Sequence, residues 1–191
     1  VGGSLWFATN KDAPRYRIMS IALDDAAPEW REVVGQKAEP VAGASLVGDG
    51  LIVSYLKDAT SRALVYERDG TFRRELELGG LGTASGFHGE PGDPETFYSF
   101  TSFNRPATIY RLDLAGNAQT TFAAPELKFD PENFVVEQRF YSSKDGTRVP
   151  MFIVRRRDIA ESGEPAPTLL YGYGGFDISL TPGFSASRMA W

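Results

Sequence analysis

Among the side chains able to act on a substrate, the densest grouping is Tyr171-Gly172-Tyr173-Gly174-Gly175-Phe176. It follows the apolar run Thr168-Leu169-Leu170-Tyr171, which the turn residues around it mark as a short strand buried on both faces of a sheet. In open α/β sheets, ligands and catalytic groups gather at the C-terminal end of such strands. Gly172, Gly174 and Gly175 permit backbone angles closed to other residues and let a substrate come close. Held between them, Tyr173 can aim its phenolic O–H into a pocket. A donor so placed stabilises the oxyanion of an acyl transfer by about 2.7–4 kcal/mol. The same residues also make a plain glycine-rich turn with aromatics packed beneath it, and side-chain chemistry alone favours that blander reading.

What accompanies this loop narrows the chemistry. No Gly-x-Ser-x-Gly nucleophile elbow occurs, and the nearest string, Gly183-Phe184-Ser185-Ala186-Ser187, lacks the final glycine. The one histidine, His88, lies in Gly86-Phe87-His88-Gly89-Glu90 and is expected in an exposed loop rather than as a base. The absence of cysteine excludes disulfides and thiolate metal sites, and no His/Asp/Glu spacing suits a metal, so neither metal nor cofactor is expected. A net charge of −5 argues against nucleic acid as the main partner. The basic run Arg155-Arg156-Arg157 reads as a strand end turning to water. No apolar run approaches the roughly 18 residues that cross a bilayer. A soluble protein is expected, with the cytoplasm favoured over the periplasm.

The elements that would position the loop begin with a repeat. Leu5-Trp6-Phe7-Ala8-Thr9, then 16–23, then Trp30-Arg31-Glu32-Val33-Val34 share a plan with 51–56, 63–67 and 72–76, and with 96–100, 108–114 and 118–122. The period is about 45 residues, the size of one four-stranded propeller blade. Alternation of Ile109, Arg111 and Asp113 against Tyr110, Leu112 and Leu114 turns one face to a core and the other to water. Asp69-Gly70 and Gly116-Asn117 supply the positive φ of tight hairpins. Val41 to Val47 and Gly82 to Phe87 are the inner strands of the second and third repeats. Three blades cannot close a ring, which needs four or more.

The pattern changes after Ala124-Pro125. A strand over 134–141, a turn at Lys144-Asp145-Gly146-Thr147 and an antiparallel return over 149–155 make a hairpin, with Pro150 marking a strand start or an edge. A polar loop over 158–167, the run 168–171 and a helix capped by Ser185 then suggest the opening of an α/β sandwich. The domains expected are thus 1–125, a partial β-propeller, and 126–191, the start of an α/β unit. The lack of an initiator Met, and a Trp191 in the first turns of a helix, lead us to expect that both ends are cuts.

The stretch from Leu169 through Tyr173 and Phe176 to Ile178-Ser179-Leu180-Thr181-Pro182 and Phe184-Ser185 resembles the prolyl oligopeptidase family closely. The segments 141–147 and 149–154 look like that family's first hydrolase hairpin, and 97–103 is similar to its last propeller blade. The resemblance implies the last three blades of a seven-bladed ring, followed by the first strands of an α/β-hydrolase domain. It implies a serine endopeptidase cutting short peptides after proline. Tyr173 would be its oxyanion-hole donor, Phe176 would line the pocket for the substrate proline, and the Ser/Asp/His triad would lie outside this chain. The sister branch that cuts after Arg or Lys typically has Gly-Ser-Tyr where Gly174-Gly175-Phe176 stands, which favours the proline-specific branch. Short proline-containing peptides and the rest of the same protein are the partners implied, with a monomer as the intact form and no activity in the chain alone. A non-catalytic propeller that serves as an interaction module is the alternative; it explains 1–125 but gives no reason for the Tyr173 loop.

Overall fold

The computed structural model describes residues 3–191, so the reading of Val1-Gly2 as a cut end lies outside it. Three antiparallel sheets follow one another along the chain. The first contains β1 (Ser4–Thr9), β2 (Arg17–Ala22) and β3 (Trp30–Val34) in that order. The second contains β4 (Val41–Val47), β5 (Gly50–Lys57), β6 (Thr60–Glu67) and β7 (Phe72–Leu76), and the third β8 (Thr83–His88), β9 (Glu95–Thr101), β10 (Thr108–Asp113) and β11 (Gln119–Ala123). Each strand pairs with the next, so the sheets are up-and-down meanders on the repeat read from the sequence.

The middle sheet is buried on both faces. Leu51, Val53, Tyr55, Leu64 and Tyr66 pack with Ile18, Val33 and Val34 of the first sheet. The alternate residues Ile52, Ala63, Val65 and Leu76 pack with Phe87, Tyr98, Phe100 and Leu112 of the third. This is why β5 reads as a continuous apolar run whereas β10 alternates, with Leu112 fully buried and Ile109 exposed. Burial of the Tyr55 phenol, helped by its contact with the Tyr66 hydroxyl at 3.3 Å, pushes its pKa upward. In the third sheet, Phe87, Tyr98 and Tyr110 stack with centroids 4.8 and 5.2 Å apart, and the Tyr98 hydroxyl donates to Gln119.

The turns carry their own chemistry. At Gly70 φ is +93° and a Cβ would fall 1.8 Å from the Val33 carbonyl oxygen, so glycine lets the β6–β7 turn press against β3. In the other hairpin Asn117, not Gly116, takes the positive φ, at 58°. Carboxylates of Asp69, Asp113 and Asp145 accept backbone N–H groups of Thr71, of Ala115 and Gly116, and of Thr147; these bonds hold all three carboxyls below the usual range.

Beyond the sheets, a 3₁₀ turn (Pro131–Asn133) leads into the hairpin of β12 (Phe134–Ser142) and β13 (Arg148–Arg156), in which Phe140 pairs with Pro150. With two strands, both are edges, so the missing N–H of Pro150 is tolerated. The loop expected over 158–167 begins as a helix instead, α1 (Arg157–Ser162), closed by Gly163 at φ 70°. Helix α2 (Ala186–Ala190) starts after Ser185 as expected, but the Ser185 hydroxyl bonds to that of Ser187 at 2.9 Å instead of capping the backbone.

The expected buried strand at 168–171 is not formed. These residues pair with no strand among the described residues, and Leu169, Leu170 and Tyr171 are 70%, 84% and 70% exposed. An extended segment counts as a strand only through a neighbour's hydrogen bonds, and this run has none beside it. His88 is exposed as expected, but it ends β8 rather than sitting in a loop; a bulge at Gly86/His88 pairs it with Phe97.

Leu112 joins the second and third sheets with no exposed area. Leu112→Ala should cost about 2–5 kcal/mol of unfolding free energy through the cavity it leaves, with an unchanged denaturant slope. Urea unfolding of the intact protein followed by tryptophan fluorescence measures this; a loss below about 1 kcal/mol would contradict the packing.

Candidate active-site loop

The loop is reached from the sheets through a junction of few contacts. The Asp58-Ala59 turn between β5 and β6 holds two non-glycine residues at positive φ, 48° and 63°. Its Asp58 carbonyl accepts the Gln138 amide at 2.6 Å, and the Asp58 carboxylate lies 3.6 Å from Arg148. Asn104 donates to the Pro131 carbonyl at 3.0 Å, Arg105 pairs with Glu132, and the rings of Phe103 and Phe152 meet at 5.2 Å. These contacts place β12 and β13 beside the β5–β6 and β9–β10 connections. The chain then passes through α1 and returns over 163–191.

Tyr173 and Phe176 both stand on the returning segment, 49% and 91% exposed. The Tyr173 hydroxyl has no hydrogen-bond partner among the described residues, and its donor is therefore available to a ligand. Phe176 lines an open concavity of about 450 Å³ with Gly174, Gly175, Asp177, Ile178 and Ser179. Tyr173 is not part of that wall, so the two expected site residues share a loop but not one pocket within this chain. Of the three glycines only Gly174 uses positive φ, at 66°, while Phe176 and Asp177 take 54° and 53°. An aromatic side chain in the left-handed region is uncommon, and the single short-range bond in the turn, Ile178 N–H to the Gly175 carbonyl at 3.1 Å, holds it there. A Cβ at Gly172 or Gly174 would meet nothing within 4 Å, which leaves open space before the backbone.

Downstream the chain is fixed again. The Pro182 carbonyl accepts the Thr83 hydroxyl at 2.7 Å, and the Phe184 ring stacks on Phe129 at 6.0 Å with 3° between planes. Local sequence pattern gave no sign of Thr83, since 99 residues separate it from Pro182. Among the described residues there is no group of three or more His, Asp or Glu side chains that could hold a metal, and no helix is long and apolar enough to cross a membrane.

Gly174→Ala should disturb this loop through backbone strain alone, because no atom crowds the new methyl. Amide hydrogen exchange over 172–179 is expected to quicken about five- to tenfold with an unchanged melting temperature; exchange equal to the parent would show that the left-handed turn is not needed.

Comparison with known proteins places the chain. Residues 1–125 match the model of the prolyl oligopeptidase N-terminal β-propeller domain. The prolyl endopeptidase of Elizabethkingia miricola is 39% identical over 191 residues, covering 100% of this chain and 27% of the relative. The prolyl endopeptidase of Dictyostelium discoideum is 32% identical over 96% of the chain and 26% of its own length. Among solved structures, one from a study of inter-domain dynamics in two prolyl endopeptidases superposes with a TM-score of 0.86 at 45% identity, over 100% of this chain and 28% of that one. Prolyl oligopeptidase B of Galerina marginata gives 0.84 at 29% identity, over 97% of this chain and 27% of its own. The chain thus spans about a quarter of the length of the relatives it matches, and it belongs to the prolyl oligopeptidase family, carrying part of that family's N-terminal β-propeller.

Proposed function

We propose that the protein containing this chain is a serine endopeptidase that cleaves short peptides on the carboxyl side of proline. The observation that carries the reading is the Tyr173 loop: an exposed phenolic donor without a hydrogen-bond partner among the described residues, beside open glycine backbone, in a chain whose relatives are prolyl endopeptidases. Residues 1–125 form the last three blades of a seven-bladed ring, and 126–191 open an α/β-hydrolase domain in which 168–171 becomes a strand once neighbours pair with it. The exposed apolar faces of the outer sheets support ring membership. Phe7 and Trp30 lie 5.2 Å apart on one, and Phe97 and Phe122 lie 4.9 Å apart on the other.

The Ser, Asp and His of the triad lie outside these 191 residues, which contain no nucleophile elbow. When the serine attacks the scissile carbonyl, its oxygen gains negative charge and the Tyr173 O–H donates to it, beside a backbone N–H near the serine. Phe176 offers an apolar ring to the substrate proline. No cofactor or metal takes part, the intact protein acts as a monomer, and this chain by itself has no peptidase activity.

The test compares cleavage by the full-length protein of a chromogenic peptide with proline before the reporter against a matched arginine peptide, with and without a serine-directed phosphonate. Proline-selective, phosphonate-sensitive release is expected. Arginine preference would move the protein to the sister branch, and silence on both from a folded sample would favour a non-catalytic interaction module. Tyr173→Phe should lower kcat about 10²–10³-fold with little change in KM, since the donor acts mainly in the transition state. Unaltered turnover would remove Tyr173 from the mechanism.

A further inference from the structure

We propose that Thr83, a residue of the propeller, is a positioning residue for the Tyr173 loop, acting through the Pro182 carbonyl; this rests on the peptidase reading of Tyr173. Thr83 opens β8, and its hydroxyl donates to the Pro182 carbonyl at 2.7 Å across a sequence separation of 99 residues. Pro182 is less than 2% exposed, so the bond is sheltered from water. Within 163–182 this is the one long-range hydrogen bond among the described residues, and Tyr173 stands nine positions before it.

The peg is built on a rigid base. Ser61 of β6 grips both neighbours of Thr83: its N–H donates to the Gly82 carbonyl at 2.9 Å, and its hydroxyl accepts the Ala84 N–H at 2.9 Å. The Ser102 hydroxyl holds the Leu81 carbonyl at 2.7 Å. Gly82 lies against the Phe100 ring so closely that a Cβ would fall 2.0 Å from it. Two sheets thus fix the backbone on either side of the hydroxyl. On the receiving side, Phe184 is stacked on Phe129, and Arg188 donates to the Gly183 carbonyl at 3.3 Å, so displacement of Pro182 meets resistance downstream. It passes upstream instead, into a stretch where Ile178 and Phe176 are 56% and 91% exposed and one backbone bond closes the turn. A donor that must meet a developing oxyanion within a few tenths of an ångström is sensitive to such a shift.

Thr83→Val keeps the shape and β-branching of the side chain and deletes the donor, and Thr83→Ser keeps the donor. In the full-length protein, Thr83→Val should quicken amide exchange over 173–181 about fivefold and lower kcat on the proline peptide by a similar factor, with KM little changed. Thr83→Ser should restore both. In a Tyr173→Phe background Thr83→Val should have no further effect on kcat, because the donor it positions is gone. Unchanged exchange in Thr83→Val overturns the peg. Quickened exchange with unchanged kcat, or losses that multiply in the double variant, overturns the positioning role. If Tyr173→Phe alone leaves kcat unaltered, the peptidase role of Tyr173 falls and the positioning role with it, while the exchange measurement still reports separately whether Thr83 holds the loop.

Discussion

The sheet β4–β7 has no face that can be shown to water. Leu51, Val53 and Tyr55 leave one side of β5 and Ile52 the other, and all four are buried. A strand with two apolar faces demands a layer on each, so the first and third sheets must stack on the second. From that requirement follow the order of the three sheets along the chain and the close approach of the β6–β7 turn to β3. The stack transfers the same demand outward. The outer faces keep Phe7, Trp30, Phe97 and Phe122 exposed.

The contrast with the junction to β12–β13 is one of interaction type. Between sheets, two contiguous apolar clusters exclude water. At the junction, a few polar contacts join turns of the stack to the hairpin and its approach: Gln138 with the Asp58 carbonyl, Arg148 with the Asp58 carboxylate, Arg105 with Glu132. Exposed ion pairs of this kind contribute at most about 1 kcal/mol each. Fewer and weaker contacts per residue make this seam open at lower cost than any plane within the stack. The aromatic pair Phe103–Phe152 adds one apolar contact across the same seam.

Much of the stack was legible in the sequence because each of its signals is local. The alternation in β10, the apolar run of β5 and Asp69-Gly70 all state, within a few residues, what the backbone must do. The 168–171 run misled for a related reason. Its composition specifies a buried strand correctly only if neighbours are supplied, and composition does not say where those neighbours lie. In the loop, the sequence marked Gly172, Gly174 and Gly175 as the residues of unusual backbone, yet the turn passes its strain to Phe176 and Asp177. Glycine permits positive φ without requiring it, so which residue takes the strain is settled by the hydrogen bond that closes the turn. The motif singles out Tyr173 and Phe176 as expected site residues; it does not reach Thr83, because a hydroxyl at the start of a strand has no spacing or partner visible nearby.

These two kinds of contact divide the work of placing the loop. Apolar packing is non-directional and tolerates small slides, so the stack alone cannot set a side chain to a few tenths of an ångström. Hydrogen bonds are directional, and one that joins a rigid strand start to a buried carbonyl converts the position of the stack into the position of the chain leading up to that carbonyl. The Thr83–Pro182 bond does this at the point where the two parts meet, with Ser61 and Ser102 bracing its donor side. The loop carrying Tyr173 can therefore be exposed and internally sparse while its anchor inherits the rigidity of a core formed about a hundred residues earlier.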